Sequence, residues 1–313
     1  MQLKKIKKRI IDKYQREKIN LSRKLFQLKM KISGNNRPSS EPYISCDNFR
    51  AHSDHIFDEV NEKTKIPNIK KGDIVFLSTI PHTNLEKYFM NIHPKIKNPY
   101  ILITHNGIVP VGENEKKYID DKIIHWYGKN VLIEHTKVTP IPIGLENLWK
   151  YSTGATNYFK KETRKKLLKE NKILYHFKIA TNPDERQKAF DYISKHPLAE
   201  TLTTKLNQIA YIRNLNQYKF VASPPGAGEE CHRTWEALYL KTIPIVPRSA
   251  TTDYFEKLGL PIWNIDNWNE LDNLNEKDLE KKYNELISKA NFEPLWFDYW
   301  WNKIKEKQNE NIN

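Results

Sequence analysis

Residues 220–247, reading FVASPPGAGEECHRTWEALYLKTIPIVP, constrain the fold more than any other part of the chain. A short apolar run, Phe220-Val221-Ala222, ends in a Ser-Pro-Pro-Gly-Ala-Gly turn. Polar residues 229–233 then lead into the helical spacing of Trp235, Leu238 and Tyr239. Residues 243–246 follow directly as a second buried strand. Strand, glycine-rich turn, helix and strand form a βαβ unit, and ligands of such units bind beyond the carboxyl ends of the strands. Residues 223–233, beginning at Ser223, are therefore the predicted site.

The turn suits a nucleotide diphosphate. Gly226 and Gly228 permit close backbone approach, and the helix start that follows offers free N–H groups to an anion. Arg233 adds a bidentate phosphate clamp. Glu236, three residues on, shares the face of Arg233 and is placed to accept from ribose hydroxyls. A generic βα loop capped by a solvated charge run would also carry glycine, proline and charge. The density of polar groups in EECHRTWE, with Glu229, Glu230 and His232 beside a buried unit, favours the binding site.

A strand, Pro-Gly-x-Gly, an acidic pair, His-Arg-x-x-Glu-Ala-Leu and a Thr-Ile-Pro-Ile-Val strand together resemble the donor-binding half of exostosin-like glycosyltransferases. Four further segments are similar to small bacterial and viral members of that group: YISCDNFR (43–50), YILITHN (100–106), IPIGLEN (141–147) and TNPDER (181–186). The resemblance covers residues 41–270. It implies an α/β GT-B fold, two Rossmann-like domains facing a cleft, with a nucleotide sugar held by the second domain. It also implies transfer of a hexose or pentose from a UDP-sugar to a glycan acceptor such as a surface polysaccharide or a glycoprotein glycan.

A chain of 313 residues is long for one core and comfortable for two domains. The expected division is a basic helix and linker over 1–40, an acceptor-side domain over 41–150, a donor domain over 151–290 and an aromatic C-terminal helix over 291–313. The formal charge of +14 invites a nucleic-acid reading, but twelve Lys and Arg against two acidic residues within 1–31 account for +10 of it. No nucleic-acid partner is expected. Leu3, Ile6, Ile10, Tyr14, Leu21, Leu25 and Leu28 make that segment an amphipathic basic helix, suited either to an anionic bilayer or to packing on the body or on another copy. Cys46 and Cys231 stand far apart, with neither a disulfide framework nor zinc spacing. A reducing, cytoplasmic compartment is expected, with any membrane contact peripheral, because no signal peptide or spanning segment is recognisable.

Residues 73–77 and 100–104 read as buried parallel strands, with 123–127 and 131–133 as further candidates and 138–143 as an edge or exit. A helix near 158–170 leads to a strand at 173–179. TNPDER then starts a helix at Pro183, with Thr181 or Asn182 as its cap and Arg186 either exposed or pointing at the donor diphosphate. Residues 292–301, dense in aromatics, form a helix that must bury a face, and in GT-B enzymes the last helix crosses back onto the first domain.

Transfer needs a neutralised leaving diphosphate and, with inversion, a base. The chain contains no Asp-x-Asp, so Arg186, Arg233 and helix amino termini are expected to replace a metal; no cofactor is expected. His105, after the strand at 100–104, is the expected base, with Asp47 and Asp54 as competitors. Two rival readings remain. One is a fucosyltransferase-like enzyme using a GDP-sugar, with which Glu236-Ala-Leu is compatible. The other is a non-catalytic adaptor for anionic polymer or membrane.

Overall fold

The computed structural model describes residues 39–58, 66–80, 84–148, 156–165, 167–202 and 206–312. The expected basic helix over 1–31 lies outside them. The described chain is α/β and contains two parallel sheets of five strands each.

The first sheet runs in chain order: β1 (His55–Phe57), β2 (Ile74–Ser78), β3 (Tyr100–His105), β4 (Ile123–Gly128) and β5 (Val138–Pro140). Right-handed crossovers between successive neighbours all fall on one face of such a sheet. Strand alternation feeds two separate cores. Val75, Leu77 and Leu102 pack with the crossover side, where α2 (Asn84–Asn91) contributes Leu85 and Phe89. Phe76, Ile101 and Ile103 face the opposite way. That second face is covered by the ends of the domain, α1 (Cys46–His52) and the final helix α9 (Phe297–Ile312). The Phe49 and Phe297 rings meet edge-on at 5.2 Å, and the N–H of Phe297 donates to the Pro42 carbonyl. The last helix does cross back onto the first domain.

Helix α3 (Asn157–Glu162) precedes the second sheet, which contains β6 (Glu170–Tyr175), β7 (Ala199–Thr201), β8 (Tyr218–Ala222), β9 (Ile243–Pro247) and β10 (Trp263–Ile265), in spatial order β7-β6-β8-β9-β10. Its helices are α4 (Pro183–Ile193), α5 (Gln208–Leu215), α6 (His232–Tyr239), α7 (Ala250–Lys257) and α8 (Glu276–Ser288). The chain goes outward from β6 to β7, then returns past β6 to β8. The order therefore reverses between β6 and β8, which opens a crevice at their carboxyl ends. The first sheet has no such reversal.

One continuous core joins the two sheets, since Phe76, Ile103 and Tyr127 of the first cluster with Leu174 and Val221 of the second and with Trp235 and Leu238 of α6. Tyr239 fastens it: its hydroxyl accepts from Ile44 N–H at 3.0 Å and donates to Leu295 O at 2.6 Å, tying α6 to both ends of the first domain. Gly144, at φ +63°, lets the loop after β5 pass against Ile44, where a Cβ would sit 2.3 Å from the Ile44 carbonyl oxygen.

Two expectations need correcting. The 131–133 run forms no strand; Val131 makes one isolated bridge to Val111, directly after Asn130 turns the chain with φ +57°. The helix expected over 158–170 ends at Glu162, and Glu170 is already the first residue of β6, paired with Tyr218.

Candidate functional site

The crevice between β6 and β8 is where the two expected arginines meet. Asn182 caps α4, its side chain accepting from Glu185 N–H, and its amide also donates to Gly226 O at 2.9 Å. That latch brings Arg186, one turn into the helix, under the glycine turn. Arg186 Nε donates to Pro225 O and Nη1 to Lys178 O, both at 2.9 Å. Arg233, the second residue of α6, donates from Nη2 to His176 O at 3.0 Å, while its buried Nε has no hydrogen-bond acceptor among the described residues. Each guanidinium lies 5.9 Å from the Phe177 ring. Burial and the charge of Arg233 draw the pKa of Arg186 below its ordinary value. Among the described residues no carboxylate forms an ion pair with either arginine. Two adjacent cations with spare N–H donors make a site that favours an anion.

A cavity of about 340 Å³ opens beside Arg233 and is lined also by His176, Gln208, Tyr211, Cys231, His232 and Glu236. The rings of His176 and Tyr211 lie 6.0 Å apart on its wall. Glu236 accepts from Gln208 at 2.7 Å, and burial pushes its carboxyl up to about 7. His232 bonds through Nδ1 to Gly144 O at 2.8 Å, and its Nε2 lies 3.7 Å from Glu146 Oε2. Glu146 belongs to the loop after β5, so the two domains face each other at this point.

Other predicted residues stand near the turn but serve its architecture. The Ser223 hydroxyl bonds Thr234 Oγ1 at 2.9 Å, fastening the turn to α6. Gly228 packs on Asn130 of the first domain, where a Cβ would come within 2.7 Å of the amide, so its close backbone approach is to protein. Glu229 N–H donates to Asn130 Oδ1. Glu230 is buried; it accepts from Ile143 N–H and Trp235 Nε1, both at 2.6 Å, and so clamps the domains. Thr181 is exposed, its N–H turning back to Lys178 O.

The three candidate bases separate. His105 is buried with both ring nitrogens engaged: Nδ1 accepts from Asn106 N–H and Nε2 donates to Pro142 O. Burial, reinforced by Lys129, lowers its pKa to about 3. The imidazole is thereby fixed as a neutral group within the fold. Asp54 caps the amino end of β2, accepting from Ile74 N–H, at the end of the sheet away from the crevice. Asp47 is fully buried at the start of α1, its N–H donating to Asn147 Oδ1 on the crevice side. Glu146, within the IPIGLEN segment, was not singled out from sequence; only the fold brings it to His232.

Among the described residues, no group of three or more His, Cys, Asp and Glu is arranged to hold a metal, and no helix is long and apolar enough to cross a membrane. No family model matches the chain, and no curated protein matches it.

Proposed function

We propose that the chain is a glycosyltransferase of GT-B type that takes its sugar from a nucleoside diphosphate donor, a UDP-sugar, and passes it to a glycan acceptor. The observation that carries this reading is the Arg186–Arg233 pair on Phe177, with no carboxylate ion pair among the described residues, at the strand-order reversal of the second sheet. The diphosphate lies between the guanidiniums, the base rests against His176 and Tyr211, and Glu236 takes the ribose hydroxyls. As the glycosidic bond to the diphosphate breaks, negative charge grows on the leaving oxygen. Prearranged arginines stabilise that charge more than they stabilise the ground state.

Thermal-shift screening of the full chain against nucleotide sugars tests the assignment. At about a hundredfold excess over Kd a ligand adds roughly 2.7 kcal/mol, and a rise of about 5 °C is expected with UDP-sugars. A larger shift with GDP-sugars would move the assignment to the fucosyltransferase-like reading, and no shift with any nucleotide would favour the adaptor. Transfer is expected to continue in EDTA, because the arginines carry the charge; a strict need for added manganese or magnesium contradicts this.

Glu146 is the proposed acceptor base, since it is the first-domain carboxylate that reaches the cavity wall through His232. Glu146→Gln is expected to lower kcat by about a hundredfold or more with nucleotide affinity retained, the usual range for a lost general base. Unchanged kcat would return the role to Asp47.

A further inference from the structure

The opposite end of the second sheet carries a surface the transfer chemistry does not use. After α3 the chain does not continue as a helix, and Leu167 and Leu168 project into water, with Leu168 99% exposed. Neither adds to the core. The surrounding residues are basic: Lys160, Lys161 and Arg164 are exposed and have no ion-pair partner among the described residues, whereas Lys165 pairs with Glu162 at 2.6 Å. The two leucines also line a cavity of about 440 Å³, together with Lys165, Lys219 and Lys241. Lys169 and Lys219 are not available there: the Lys169 ammonium is held by Asn216, Tyr218 and Thr242 oxygens, and Lys219 is buried and paired with Glu280.

We propose that this end of the protein docks on an anionic lipid surface, Leu167 and Leu168 entering the acyl boundary while the surrounding lysines and Arg164 meet the headgroups. Charge complementarity selects the occupant: a neutral apolar partner would gain nothing from three exposed cations beside two leucines, whereas an anionic bilayer uses both. The cavity between the leucines and the lysines is large enough for a phosphoglycerol headgroup. β6 spans six residues from this end to the arginine crevice, about 20 Å at roughly 3.3 Å per residue, so the donor crevice stays open to solvent when the surface is docked. The inference rests on this surface alone and does not depend on the glycosyltransferase assignment.

The test is partition of the full chain onto phosphatidylcholine vesicles containing about 30 mol% phosphatidylglycerol, compared with neutral vesicles, at physiological salt. Leu167→Glu/Leu168→Glu is expected to weaken partition by at least about tenfold, since burying one leucine alone is worth that much. Its melting temperature should not change, because both side chains are exposed. Met90→Glu, at an exposed apolar residue of the first domain, serves as the control and should partition like the parent. The proposal is overturned if the double variant partitions like the parent, which would assign any binding to other segments such as 1–31, or if the parent shows no preference for anionic vesicles.

Discussion

Replacing Arg233 by alanine is expected to abolish transfer and to weaken diphosphate binding by about 2 to 5 kcal/mol, the cost of removing one partner of a buried, hydrogen-bonded charge pair. In affinity this is a loss between about thirtyfold and several thousandfold. The effect should be large because Arg233 lines the cavity and forms no ion pair with a carboxylate among the described residues, so an anion there supplies the counter-charge. Arg186→Ala should be milder at the cavity itself, since Arg186 also braces the turn through Pro225. Nucleotide affinity unchanged in Arg233→Ala, measured by calorimetry on a variant that melts normally, is the contrary result.

The second large effect is on stability. Glu230→Ala is expected to cost about 3 kcal/mol or more, because it leaves the Ile143 N–H and the Trp235 indole N–H buried without an acceptor, each costing roughly 1–3 kcal/mol. Burial pushes Glu230 up to about 7, despite the indole bond and the charge of Lys129. A folded-state pKa above the unfolded value means that this group's stabilising contribution is complete below about 4.5 and declines as pH rises through about 7. Urea melts at pH 5 and pH 8 should therefore show the wild type losing on the order of 2 kcal/mol from this group. Glu230→Gln, which cannot titrate, should lose less over the same interval. Equal losses in the two proteins would show that Glu230 does not hold its proton in the folded state.

How much was legible in the sequence follows from what each feature depends on. β8, the turn, α6 and β9 were readable because their signals are local: apolar runs, two prolines, two glycines and helical spacing all lie within 220–247. The Asn182 cap and the helix start at Pro183 were readable for the same reason. The partners of His105 were not, since Pro142 comes from a loop 37 positions away, and a histidine after a strand looks the same whether its ring is free or locked. Gly228 reads from sequence as permitting close backbone approach to an anion; its neighbour is Asn130, nearly a hundred residues earlier. Glu230 reads from sequence as part of the donor site with Glu229 and His232 and is instead a buried clamp, a distinction set by its contacts with Ile143 and Trp235. Leu167 and Leu168 fall within the helix expected near 158–170, but the helix ends at Glu162 and β6 begins at Glu170.

The central claim is that a nucleoside diphosphate binds between Arg186 and Arg233, and calorimetric titration of the full chain tests it most directly. The account predicts one uridine diphosphate per chain, bound more tightly than guanosine diphosphate, with the heat of binding lost when both arginines are replaced by alanine. Absence of binding by either nucleotide, or wild-type affinity in the doubly substituted protein, would contradict it.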